Sequence, residues 1–388
     1  MDTIGRLARW LAADETARAP LPELFAGFCS RLVAAGLPVA RATLGLETLH
    51  PVQSGVLLRW QDERIERSLR DRAGALESDA YRFSPTRVVD DTGRPFRWRA
   101  GEDHRGMPLL DELAAEGITD YLMLPLPFLD TSRTAVVSFA TRAPGGFTPE
   151  TIAALEAATR LLSPWAERAV LRRIAVDLLA AYLGREAGQR VYEGQIERGD
   201  VRTILAAILF CDLRGFTALS DRVPRPKLVG ILNRWFEVLG EAIGAGRGEI
   251  VKFMGDGLLA AFPVVASPAE TCARALTAAE ATLAGTERLN DALVAEGEAP
   301  LRFGTALHLG EVEFGNIGTP SRLDFTVIGP AVNLASRLQG LTKELDEPIV
   351  TSEAFATTSA LPLRLLGTFP LRGIAAPVPA YAPPVVTG

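Results

Sequence analysis

The apolar positions change period along the chain, and the changes mark out its elements. Residues 21–37 carry apolar side chains at helical spacing, whereas residues 42–46 and 55–60 read as extended. Residues 121–128 and 134–139 are apolar runs that predict two buried strands, joined by a turn at Asp130 to Arg133. Gly145-Gly-Phe-Thr-Pro149 then closes a sheet, with Thr148 as N-cap and Pro149 at the first helical position. Residues 151–183 form a helical stripe through Leu155, Leu161, Leu162, Val170, Leu171, Ile174, Leu178 and Leu179, interrupted at Pro164. The stripe either packs on its own domain or pairs with a second helix, since no heptad is sustained over three or four repeats. Glycines between 184 and 199 break the helix and set a domain boundary near residue 200.

Beyond that boundary the pattern predicts a strand at 204–210, a helix at 227–243, and a hairpin of strands 250–254 and 258–262 around Gly255-Asp256-Gly257. A helix at 268–293 follows, then strands at 302–308, 311–315 and 325–328, and a helix at 331–338. This order implies an antiparallel or mixed sheet with helices on one face, an α+β fold of ferredoxin-like topology.

Composition narrows the function classes. With 388 residues, 48% hydrophobic and 23% charged, the chain is long enough for two domains with real cores. A net charge of -6 with scattered Lys and Arg argues against a nucleic-acid partner. No apolar run reaches the roughly 20 residues of a membrane span, and the start lacks the apolar core of a signal peptide, so a cytoplasmic location is expected. Cys29, Cys211 and Cys272 stand far apart in apolar contexts and read as reduced core residues. The three histidines, His50, His104 and His308, show no ligand spacing, which disfavours structural zinc.

The chemistry concentrates at two carboxylates. Asp212 leaves the end of an apolar strand and enters Leu-Arg-Gly-Phe-Thr, where Gly215 lets the backbone approach a ligand and the amides of Phe216 and Thr217 face an anion such as a triphosphate. Asp256 sits on the hairpin turn between two glycines. Alone it reads equally as an ordinary turn aspartate. If the two strands are neighbours, both carboxylates reach one small volume, and hard oxygen ligands without histidine select Mg²⁺ or Mn²⁺ over zinc.

Several separated motifs carry a family resemblance: Phe210-Cys-Asp-Leu-Arg-Gly-Phe-Thr217, Val251-Lys-Phe-Met-Gly-Asp-Gly257, Arg302-Phe-Gly with His308-Leu-Gly-Glu-Val312, Gly315-Asn-Ile-Gly318, and Asp324-Phe-Thr-Val-Ile-Gly-Pro-Ala-Val-Asn-Leu-Ala-Ser-Arg337. Over residues 203–385 the chain resembles the class III adenylate and guanylate cyclase catalytic domain. The resemblance implies two Mg²⁺ or Mn²⁺ ions per site on Asp212 and Asp256, with the carbonyl of Leu213 assisting, and attack of the ribose 3′-hydroxyl on the α-phosphorus with loss of pyrophosphate. It makes Asn333 the residue that orients the ribose and Arg337 the one that stabilises phosphate charge, the two lying four apart on one helix face. Arg302 and Arg372 correspond to phosphate contacts, the latter usually a lysine. Lys252 and Thr326 correspond to the purine-recognition positions. Lysine points to ATP, and threonine marks a bacterial subset of the family. Pro330 departs from the acidic or amide residue common there.

In that family the aspartates and the Asn/Arg pair meet across a subunit interface, so the resemblance implies a homodimer with shared active sites. Residues 20–165 resemble a GAF-like α/β sensor domain by pattern. The expected organisation is therefore a GAF-like regulatory domain at 1–165 taking an unknown small-molecule or protein signal, a helical transducer at 166–200, and a cyclase domain at 201–388. The expected function is adenylate cyclase; the alternatives are a guanylate or relaxed-specificity cyclase and a catalytically silent nucleotide-binding dimer. The tripeptide Arg97-Trp98-Arg99 reads as an edge strand with one buried aromatic, or else as a pocket lining. Gly244-Ala-Gly-Arg-Gly-Glu249 reads as a helix stop and turn.

Overall fold

A computed structural model describes residues 3–48, 53–72, 74, 78–129 and 135–384. The expected turn at Asp130 to Arg133, and His50, lie outside the described residues. The chain divides into two compact units, Met1–Ala181 and Tyr182–Gly388.

The first unit runs α1 (Thr3–Leu11), α2 (Asp14–Arg18), α3 (Leu21–Ala34), β1 (Arg41–Glu47), β2 (Gln53–Gln61), β3 (Arg64–Asp71), α4 (Asp79–Arg82), α5 (Pro85–Thr92), β4 (Phe96–Arg99), α6 (Pro108–Ala115), β5 (Asp120–Pro125), β6 (Ala135–Thr141) and α7 (Pro149–Leu183). Its six strands form one antiparallel sheet in the order β3-β2-β1-β6-β5-β4. Alternation along the strands divides the side chains between two cores. Ala42, Leu44, Val137 and Phe139 face Phe25, Phe28, Leu155 and Leu162 of α3 and α7. Val136, Ala140, Tyr121 and Met123 face Val89, Leu110 and Leu113 of α5 and α6. Trp98 is fully buried on the edge strand β4.

The closing segment before α7 is fastened by a buried carboxylate. Asp120 accepts from Arg97 Nη2 at 2.5 Å and from the Phe147 N–H at 2.9 Å, and Thr148 caps α7 through the Thr151 N–H at 3.2 Å. Helix α7 continues through Pro164 for 35 residues.

The second unit runs α8 (Arg185–Tyr192), β7 (Val201–Leu213), α9 (Phe216–Arg222), α10 (Arg225–Ala245), β8 (Glu249–Met254), β9 (Gly257–Pro263), α11 (Pro268–Ala295), β10 (Phe303–Thr319), β11 (Arg322–Ile328), α12 (Pro330–Glu344), β12 (Ile349–Ser352), α13 (Glu353–Ser359), β13 (Arg364–Phe369) and β14 (Val378–Ala382). Seven strands follow the order β13-β14-β12-β10-β7-β9-β8, and β11 pairs with β10. Only β10 with β12 is parallel among these pairs.

Three expectations are corrected. Helices cover both faces of this sheet rather than one: Ala207, Leu209 and Cys211 pack with Trp235 of α10 and Ala275 of α11, while Ala206 and Ile208 pack with Ala187 of α8 and Ala331 and Ala335 of α12. A strand covered on both faces is apolar without alternation, as Ala206 to Cys211 are. The segments 302–308 and 311–315 are one strand, β10, because Gly310 has Ala331 of α12 packed where a side chain would stand. The glycine-rich break falls at Gly184, yet a further helix, α8, follows at once; the Glu249 carboxylate accepts the Glu186 N–H at 2.7 Å near its start. The segment 244–249 does form a helix stop and turn before β8.

Candidate functional site

Strand alternation decides which way Asp212 points. Cys211 and Leu213 belong to the core under α10 and α11, so Asp212 projects to the opposite face, shared with Ala206 and Ile208. The β7–β9 register, with Phe210 opposite Leu259 and Cys211 opposite Leu258, brings Asp212 beside Gly257. Asp256 sits on the β8–β9 turn, where Gly255 adopts the positive φ of +68° that a side chain would resist.

The two carboxyl groups lie close enough together for the charge of Asp256 to act on Asp212. Burial, then the neighbouring Asp256 charge, raises the pKa of Asp212 to about 6, and burial raises that of Asp256. The space around them is kept by Gly257, whose hypothetical Cβ would lie 2.6 Å from Asp212 Oδ1 and 2.8 Å from the Cys211 carbonyl oxygen. Two half-buried carboxylates close together, with oxygen donors alone, suit a hard divalent cation such as Mg²⁺ or Mn²⁺. Among the described residues no cluster of three or more His, Cys, Asp and Glu forms a larger metal site.

Lys252 reaches this face through a β-bulge. Ile250 pairs with Ala260 and Lys252 with Leu259, so Val251 is the extra residue, and Lys252 shares the face of Leu259 and not that of Ile250. Its ammonium pairs with the Asp324 carboxylate on β11. Thr326 lies two residues further along β11, half-buried and opposite Gly315.

Asn333 and Arg337 are both exposed on α12, turned away from Ala331, Ala335 and Leu338, which pack on the sheet. Among the described residues neither side chain makes a hydrogen bond or ion pair, so one chain does not join them to the carboxylates. Gly215 stands in a left-handed conformation (φ 74°) as the N-cap of α9, with Phe216 half-buried and Thr217 exposed. Arg302 is turned to Asp346, its Nη2 donating to Oδ1 at 2.7 Å. Arg372 is exposed in the turn after β13.

Two residues near these positions escaped sequence reasoning. Asp324 was visible only as a lone charge on a strand, and its partner depends on the bulge. Arg214, next to Leu213, donates to Asp346 Oδ1 at 2.6 Å and to the carbonyls of Thr342 and Glu347 at 2.5 and 2.8 Å. The two signals available were the charge of Asp324 two positions before Thr326, and an arginine set directly between an apolar strand and a glycine.

Residues 202–360 match the adenylate and guanylate cyclase catalytic domain family. The chain is 34% identical over 171 residues to an adenylate cyclase of Anabaena cylindrica, covering 43% of this chain and 33% of that protein. It is 29% identical over 167 residues to adenylate cyclase 1 of Rhizobium meliloti (strain 1021), covering 42% and 25% respectively. The match thus spans a third or less of the length of these two relatives. Among solved structures, the adenylyl cyclase CyaB from P. aeruginosa is 26% identical with a TM-score of 0.44, covering 47% of this chain and 94% of that one. Motif, register and family match converge on one statement: this chain carries, over residues 202–360, a class III adenylate and guanylate cyclase catalytic domain.

Proposed function

We propose that the protein is an adenylate cyclase that converts ATP to 3′,5′-cyclic AMP and pyrophosphate, acting as a homodimer whose two active sites are shared between chains. The observation that carries this reading is the pair of neighbouring, half-buried carboxylates of Asp212 and Asp256 beside the glycine gap at Gly257. These carboxylates, with the Leu213 carbonyl, would hold two Mg²⁺ or Mn²⁺ ions. When bound, the ions supply charge neutralisation on the triphosphate and acidify the ribose 3′-hydroxyl.

The chain's own residues then bind and orient. The amides of Phe216 and Thr217, after Gly215, face the phosphates. Asn333 orients the ribose, and the guanidinium of Arg337 meets charge developing as the bond from the 3′-oxygen to the α-phosphorus forms and the bond to the pyrophosphate oxygen breaks. Arg372, free of partners among the described residues, and Arg302, once released from Asp346, take the outer phosphates. The exposure of Asn333 and Arg337 on the outer face of α12 supports their serving the carboxylates of the partner chain.

Lys252 donates to the purine ring and Thr326 accepts from the adenine amino group, which favours ATP. A neutral hydroxyl discriminates less than a carboxylate, so some turnover of GTP is expected. The unit at residues 1–165, read as GAF-like, regulates the rate through the helix beyond it in response to an unidentified signal. No described helix is long and apolar enough to cross a membrane.

Product formation by the purified full-length protein, with ATP or GTP in Mg²⁺ and then Mn²⁺, tests this reading. Cyclic AMP that disappears in Asp212→Ala supports it. Cyclic GMP as the main product overturns the base assignment, and no product from a folded dimer leaves either an enzyme held off by its missing signal or a catalytically silent nucleotide-binding dimer.

A further inference from the structure

Arg214 lies immediately after Asp212 and Leu213, and its guanidinium has a different address from any nucleotide. One Nη2 donates to the Thr342 carbonyl at 2.5 Å and to the Glu347 carbonyl at 2.8 Å, while Nη1 donates to Asp346 Oδ1 at 2.6 Å. Its own N–H donates to the Arg302 carbonyl at 2.6 Å. Thr342 belongs to the last turn of α12, whose terminal carbonyls lack partners within the helix. The same turn presses on the strand pair that carries Asp212. Gly304 is the register partner of Asp212, and a Cβ there would lie 1.9 Å from Thr342 Oγ1.

We infer that Arg214 is a positioning residue that fastens the carboxylate turn to the C-terminal end of α12, so that the cation-binding carboxylates and the helix bearing Asn333 and Arg337 move as one body. The inference rests on the cation-binding reading of Asp212 and Asp256. A planar fork that meets three acceptors at the end of α12 and in the loop after it fixes the backbone at Leu213 in direction as well as distance, whereas a lysine ammonium, a single rotating point charge, would not reproduce the fork's fixed directions. Groups that orient ligands in this way typically change metal affinity on the order of 10- to 100-fold when altered.

The test is Mn²⁺ binding to the full-length protein, measured from the free-ion electron paramagnetic resonance signal, together with hydrogen exchange along α12. The unmodified protein should show Mn²⁺-induced protection of amides at 341–347, and Arg214→Lys should abolish it and weaken Mn²⁺ binding by about tenfold or more. Asp346→Asn, at an exposed position, leaves the arginine in place and should give a smaller loss in the same direction; it decides the matter if Arg214→Lys does not fold. Binding within about twofold of the unmodified protein in the folded variants, with α12 protection retained, overturns the inference while leaving the carboxylate site standing. Absence of Mn²⁺ binding to the unmodified protein overturns the carboxylate site itself, and the inference with it.

Discussion

At the scale of single residues, the pair Lys252 and Asp324 allows the proposed purine recognition to be tested apart from stability. Both side chains are about half exposed, at 49% and 48%, so their ion pair contributes at most about 1 kcal/mol to folding. Asp324→Asn should therefore leave the urea midpoint almost unchanged. If Asp324 holds Lys252 toward the purine, the same variant should raise KM for ATP several-fold with a smaller change in kcat, and Asp324→Glu should restore part of it. An unchanged KM in the folded variant would show that Lys252 needs no such support. The motif around Lys252 is what suggests a recognition role for it. The sequence did not make Asp324 legible, because the contact depends on Val251 being an extra residue in β8, and a bulge leaves no trace in hydrophobic periodicity.

At the scale of elements, the β7, β8 and β9 strands form a frame in which the missing side chain at Gly257 matters as much as the carboxylates present. Gly257→Ala would drive a methyl group to 2.6 Å from Asp212 Oδ1 and 2.8 Å from a backbone oxygen. The carboxylate can swing aside, so the expected outcome is a folded protein with cyclase activity reduced at least tenfold and weakened Mn²⁺ binding. Full activity in Gly257→Ala would mean that Asp212 does not occupy this position during turnover. Much of the frame was readable: the hairpin around Asp256 follows from its glycines and flanking apolar runs, and β7 from its apolar run. Two elements were not. Gly310 read as a gap between strands because its reason for being glycine is α12 packed above it, and α8 was hidden by glycines although Ala187 and Val191 pack into the sheet. Both omissions concern tertiary contacts, which local pattern does not encode.

At the scale of the whole molecule, two further outcomes are expected. His308 is buried, hydrogen-bonded to Ser352 Oγ at 2.7 Å, and desolvation lowers its pKa to about 4. The unfolded chain takes up that proton near pH 6.5, so stability from this group is full above about pH 6.5 and falls as the pH drops toward 4, by about 2 kcal/mol at pH 5. His308→Gln should flatten this slope relative to the unmodified protein in urea unfolding at pH 7.5 and pH 5. Asp212 and Asp256, with raised pKa values, act in the opposite sense but are common to both proteins and cancel in the comparison. An identical slope would place the proton elsewhere. The second outcome concerns the assembly: mixing inactive Asp212→Ala chains with inactive Asn333→Ala chains should restore up to about a quarter of the activity, since random exchange makes half the dimers mixed and each mixed dimer has one intact site. Chains shown to have exchanged without recovery would exclude shared sites.

The long ladder between β7 and β10 has a consequence in time. Its partners, from Val201 with Gly315 to Leu213 with Phe303, lie about a hundred residues apart, with α9, α10, the β8–β9 hairpin and α11 in between. Pairing at such separation is slow to form. During synthesis the strand that bears Asp212 leaves the ribosome long before β10 exists, and its apolar run from Ala206 to Cys211 must be shielded meanwhile by the hairpin, α10 and α11 on one face and by α8 on the other. A chain stalled just before residue 300 would thus expose the edge of β7 that β10 later takes and the part of its face that α12 later covers, and binding of a chaperone to such stalled chains should fall once residue 344 has emerged.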